Sequence, residues 1–133
     1  MLTLEKAKKA IEAAENKAKE LKNSSCIVVV DTNGIIVALH KMDGAFAVSP
    51  VFAQAKAITS GTLGLSTEDI SKYSMPGKPY YGVESLSNGK FTTIAGGIPL
   101  IEGKTLIGGI GVGGSYDVSE DAQCAKAGAD AIK

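Results

Sequence analysis

One histidine and two cysteines are all that this 133-residue chain offers of the imidazole and thiol side chains that most often bind transition metals. Cys26 and Cys124 lie far apart, without CxxC spacing, and no His-x-x-x-His pair exists, so the common zinc arrangements are excluded and no metal site is expected. Nothing resembles an acyl-transfer triad or a paired-carboxylate hydrolase. Fourteen basic and fourteen acidic residues cancel. Neither sign forms a block, which argues against nucleic acid or an anionic membrane as partner. No apolar run approaches the ~20 residues of a membrane span, and no charged leader with an apolar core precedes the first helical pattern. These absences lead to the expectation of one cytoplasmic domain over residues 1–133, with both cysteines as free buried thiols.

What the chain has in abundance is glycine, sixteen in all. Several of them interrupt the apolar runs Gly96-Gly97-Ile98-Pro99-Leu100 and Ile107-Gly108-Gly109-Ile110-Gly111-Val112-Gly113-Gly114. Glycine weakens a strand interior, so its repetition marks bulges or places where a ligand or another backbone comes very close. Gly109, Gly111 and Gly114 satisfy the G-x-G-x-x-G pattern, but no second strand with a ribose-binding acid follows in residues 115–133. Gly97 to Gly103-Lys104-Thr105 resembles a phosphate loop with one residue too many, carries Pro99, and leads into a strand-like run instead of a helix. Both nucleotide readings fail on context, and close packing remains.

Apolar positions at alternating threes and fours predict a helix over 3–22, with Thr3 as N-cap and an alanine-rich stripe. Val118, Ala122, Ala125, Ala129 and Ile132 repeat that spacing behind an Asp117/Glu120 capping box, so the two terminal helices are expected side by side. Residues 26–31 and 35–41 read as strands joined by the turn Thr32-Asn33-Gly34; both are apolar on both faces and should be covered on both. Ser49-Pro50 opens a helix to about 63, with Ser49 as its cap, and Ser66 begins a short one. After a Pro- and Gly-rich loop, strands are expected at 91–94, 98–101 and 105–112. Hairpins with helices before, between and after them give an α+β layered domain.

Several segments together carry a resemblance. They are Val29-Val30-Asp31 with Gly34, Met42-Asp43-Gly44-Ala45, Ser49 with Ala55-Lys56-Ala57, the two glycine-rich runs, and Ala125-Lys126-Ala127-Gly128. In this order, across nearly the whole chain, they resemble the GlcG/HbpS haem-binding family, which includes the C-terminal domain of PduO-type cobalamin adenosyltransferases. The resemblance implies a profilin-like α/β/α domain with a five-stranded antiparallel sheet, assembly into homo-oligomers, and in some members binding of haem or a link to corrinoid and diol metabolism.

Haem iron takes an axial His, Met, Cys or Tyr, and the one histidine here is His40, on the same strand face as Ile36, Ala38 and Met42, where it reads either as such a ligand or as a hydrogen-bonded histidine at a strand end. Lys56, among the alanines of the second helix, reads either as an ordinary solvent-facing lysine or as the candidate for general ligand contact, with Asp43 as a partner or simply as an Asp-Gly turn residue. Gly96 and Gly97 mark the facing bare backbone. Tyr73, Tyr80 and Tyr81 could line a mouth for a planar ligand or pin a loop. Three functions stay open: a non-catalytic accessory protein that binds haem, another tetrapyrrole or a corrinoid; an enzyme of diol or hydroxy-acid metabolism using Lys56 and Asp43; and a structural oligomerisation unit.

Overall fold

The computed structural model describes residues 1–133. In order they form α1 (Leu4–Glu20), β1 (Cys26–Val30), β2 (Ile36–Lys41), α2 (Ser49–Leu63), α3 (Thr67–Tyr73), two short 3₁₀ turns (Val83–Ser85 and Ser87–Gly89), β3 (Gly97–Glu102), β4 (Thr105–Gly113) and α4 (Val118–Asp130). The sheet is antiparallel with order β2-β1-β4-β3. Because β1 is interior and apolar on both faces, all five of its residues are buried. Ile27 and Val29 face a core shared with α1 and α4; Cys26, Val28 and Val30 face α2. The result is an α/β/α sandwich whose terminal helices lie side by side, as their alanine stripes require. At their crossing, a Cβ on Gly128 would stand 2.8 Å from the carbonyl oxygen of Ala10.

The sheet has four strands, not five. The expected strand at 91–94 is irregular because threonine side chains take its donors: Thr92 N–H donates to Oγ1 of Thr59 on α2 and Ile94 N–H to Thr92 Oγ1. β2 also departs from expectation. It is an edge strand, with Ile36 40 % and Leu39 39 % exposed and Ile35, just before it, 62 % exposed, so these positions lack the cover that its composition calls for.

Local chemistry accounts for most of the boundaries. Thr3 and Ser66 accept hydrogen bonds from the N–H groups of Lys6 and Asp69 and start α1 and α3. Ser49 is the first residue of α2 and not its cap; its hydroxyl donates to the Phe46 carbonyl at 2.6 Å. Asp117 caps α4 through the Ser119 N–H, whereas Glu120 turns to Ser115 and Asn23, so the expected capping box is half made. In the β1–β2 turn, Asp31 Oδ1 accepts from Asn33 and Ile35, and Gly34 takes φ +78°.

The glycines of β4 explain how α2 lies on the sheet. A Cβ on Gly109 would meet Gly61 N at 2.4 Å, one on Gly111 Ala53 O at 2.1 Å, and one on Gly113 Ser49 O at 2.9 Å. Every second strand residue thus faces every fourth helix residue, Gly61, Ala57, Ala53 and Ser49. Two residues of strand and four of helix span nearly the same distance, about 6–7 Å, so the two small-residue rows match along their length. The tract admits a helix backbone, not a phosphate.

Candidate functional site

Close approach of α2 puts Lys56 on the sheet side of the helix, where it is 1 % exposed. A buried ammonium needs acceptors, and the side chain finds them by passing the bare backbone of Gly96 and Gly111. A Cβ at Gly96 would lie 2.8 Å from Lys56 Nζ, and one at Gly111 3.0 Å from Lys56 Cβ. Gly96 also holds φ +126°, a conformation that L side chains rarely adopt. Gly97 serves the same approach from the next position, since its Cβ would meet the Lys56 carbonyl oxygen at 2.5 Å. Lys56 Nζ then donates to Val112 O at 2.8 Å and to Asp121 Oδ2 at 3.1 Å. Asp121 is 1 % exposed, sits in the first turn of α4, and accepts from Ser115 N–H through its other oxygen.

Burial dominates the protonation of this pair. It pulls the Lys56 ammonium below its usual range and pushes the Asp121 carboxyl above its own, and their mutual attraction and hydrogen bond offset only part of each shift. The positive end of α4 further supports the carboxylate form. Three N–H donors on the ammonium meet two acceptors, so one donor is left for a ligand.

That donor belongs to a cleft of about 550 Å³, inside the usual range for small-molecule sites. Lys56 and Asp121 line it together with Gly113 and Gly114; Phe46, Phe52, Ile94, Tyr116 and Val118 form apolar walls. Phe46 and Tyr116 stack in a tilted arrangement with centroids 5.1 Å apart, and Lys56 Nζ stands 5.9 Å from the Phe52 ring centroid. The cleft is therefore an apolar slot with a single charge pair in it.

The structure brings together Lys56, Gly96 and Gly97 and separates them from His40 and Asp43. His40 lies on the α1 side, its Nδ1 against Glu15, in an open hollow of about 590 Å³ shared with Lys19, Lys41, Met42 and Asp43. That hollow is slightly the larger, yet its rim is charged and solvated, which suits a ligand less than the mainly apolar cleft does. Asp43 is an exposed turn residue before Gly44, and the partner of Lys56 is Asp121 instead. Tyr80 and Tyr81 border a separate hollow beside Leu63 and Phe91, and Tyr73 packs against Tyr80; the tyrosine at the cleft is Tyr116. Asp121 did leave a trace in the sequence: it falls between Val118 and Ala125 on the buried stripe of α4, where a carboxylate requires a partner.

Comparison with known proteins extends this picture. The family described as haem degrading protein HbpS-like matches residues 2–130. The chain belongs to this HbpS-like family. Among its relatives, a 15.0 kDa protein from the dhaT-dhaS intergenic region of Citrobacter freundii is 34 % identical over 85 % of this chain and 80 % of its own length. The corrinoid adenosyltransferase PduO of the same organism is 32 % identical over 98 % of this chain, which spans only 39 % of that enzyme. The solved structure of a PduOC:heme complex superposes with a TM-score of 0.92 at 31 % identity, covering 99 % of this chain and 95 % of that one. Shared architecture and family membership support haem or tetrapyrrole binding at the level of the HbpS-like family.

Proposed function

We propose that this HbpS-like chain binds haem or a related tetrapyrrole in the Lys56 cleft and acts as a non-catalytic accessory protein. The observation that carries the reading is the cleft itself, apolar walls around one buried ammonium. Its residues fit the group. Phe46, Phe52 and Val118 offer the flat apolar surface that a macrocycle needs, the spare Lys56 N–H is a donor for a peripheral carboxylate, and Tyr116 is the one side chain there of a type that ligates haem iron. Bound haem would supply an iron centre whose properties the protein sets through that ligand and the surrounding polarity. The chain has no arginine, so Lys56 is the only side-chain cation lining the cleft.

Haemin titration followed by absorbance tests the reading. Wild type should give a sharp Soret band that saturates at one haem per chain, Tyr116→Phe should shift the spectrum, and His40→Ala should leave it unchanged. A flat titration at micromolar protein would refute haem binding; a shift with His40→Ala alone would move the ligand to the opposite side of the sheet. The enzyme reading that pairs Lys56 with Asp43 has no geometric support, because Lys56 is paired with Asp121. The accessory role is proposed for a homo-oligomer, on the strength of the exposed apolar residues Ile35 and Ile36 at the β2 edge and Val48 and Val51 at the start of α2; sedimentation equilibrium measures it.

A further inference from the structure

Lys56 is a strange residue to place at a simple apolar binding site. An apolar slot binds flat ligands without a buried lysine, and burying an ion pair gives weak stabilisation compared with well-packed apolar side chains. The arrangement has what amine chemistry needs. The nitrogen is shielded from bulk water yet lines a ligand-sized cleft; one carboxylate, Asp121, stands 3.1 Å away; and Gly113 and Gly114 leave the neighbouring backbone free of side chains. No second acid and no second amine line the cleft, so the roles are unambiguous.

We propose that Lys56 forms an imine with a small aldehyde that has an apolar or aromatic body, with Asp121 as the proton carrier. The ammonium gives a proton to the Asp121 carboxylate, leaving a neutral amine and a neutral acid. Burial favours that exchange by disfavouring both charges. The amine nitrogen adds to the carbonyl carbon, the C=O π pair moves to oxygen, and the proton lost by nitrogen ends on that oxygen, giving a carbinolamine. Asp121 then returns its proton to the hydroxyl, water leaves, and the nitrogen lone pair closes the C=N bond of a protonated imine beside a restored carboxylate. Atoms and charge balance with no oxidant or reductant. Phe46, Phe52 and Val118 select the apolar body, and the cleft volume limits its size. The proposal does not rest on tetrapyrrole binding, since an aldehyde adduct at Lys56 needs only the amine, the acid and the slot.

Benzaldehyde with cyanoborohydride at neutral pH, on the folded wild-type protein, traps the imine as a benzyl-lysine that peptide mapping locates. Lys56 should label at least about tenfold faster than exposed lysines such as Lys78 and Lys104, because burial favours its neutral, nucleophilic form and Asp121 stands beside it to carry the proton. The preference should vanish in urea-unfolded protein. Asp121→Asn, checked for folding by circular dichroism, should slow labelling at Lys56 by about a hundredfold if the acid carries the proton. Adducts on surface lysines with Lys56 unmodified in the folded protein would overturn the proposal, as would an Asp121→Asn variant that labels as fast as wild type. Because haemin titration is read separately, a protein that labels at Lys56 but gives no Soret band would sink the tetrapyrrole reading alone, and the reverse result would sink this one alone.

Discussion

Replacing Lys56 with methionine keeps most of the side-chain volume and removes the charge that faces Asp121. The two side chains are 1 % and 2 % exposed, so neither water nor salt can take the place of the missing partner. Removing one member of a buried pair costs about 3–5 kcal/mol, because the remaining charge is left uncompensated. In a domain of this size that lowers the melting temperature by ~10–20 °C. Replacing both partners should cost much less, since no charge is then stranded. A cycle of Lys56→Met, Asp121→Asn and the double variant, followed by urea unfolding, should therefore give a coupling of ~2–3 kcal/mol. The loss in Lys56→Met should also depend on pH. Asp121 already titrates above its ordinary 3.8 because of burial, and losing the attraction and hydrogen bond of Lys56 raises it further. Between 3.8 and that raised value the folded variant binds more protons than the unfolded chain, so its stability increases as pH falls through this window. The deficit against wild type should shrink on acidification. A loss under about 1 kcal/mol, or a double variant as unstable as the sum of the singles, would refute the coupled-pair account.

The packing of α2 on β4 predicts that Gly111→Ala destabilises by ~3 kcal/mol or more, because its Cβ would lie 2.1 Å from the backbone oxygen of Ala53, which no rotamer change can relieve. Urea unfolding measures this, and a loss below ~1 kcal/mol would show that the helix and sheet can separate freely. Cys26 and Cys124 are fully buried, and burial pushes both thiols up to about 11. A thiol-disulfide reagent at mildly alkaline pH should therefore react with neither until the chain unfolds; prompt release of one equivalent would contradict the burial.

Elements set by local periodicity and caps were legible in the sequence: α1 behind Thr3, the Asp31–Gly34 turn, the fully buried β1 and the alanine stripe of α4. Features that depend on what a segment meets in space were not. The apolar and β-branched residues of 91–94 suggest a strand, but Thr59 and Thr92 bind its donors and β3 starts only at Gly97. β2 has the composition of an interior strand and lies at an edge, since sheet order is not written in strand composition. At the site, Lys56, Gly96 and Gly97 stood out as a charge among alanines and a glycine pair before a strand. Asp121 did not, because it lies 65 residues from Lys56 and meets it only across the packed layers. Tyr116 stands alone in the sequence, whereas Tyr73, Tyr80 and Tyr81 fall together beside Pro and Gly, so nothing local marks it as the tyrosine of the cleft.

The glycines link these two kinds of information. On β4 they let α2 come close enough that Lys56, pointing to the sheet, is almost wholly buried and meets the outside only through the cleft. At Gly96 they leave the lysine stem a path past the backbone toward α4. A chain that only needed a stable sandwich could fill the β4 positions with valine and hold α2 further out, as sheet-helix packings commonly do; the bulkier side chains would bury more apolar surface and stabilise more. Here that stabilisation is given up at Gly109, Gly111 and Gly113, and what the close approach yields is one buried amine, its acid, and an apolar slot beside them. Apolar burial given up along the row that faces α2, beside a buried charge pair, is the mark of a site shaped for chemistry or binding, not for stability.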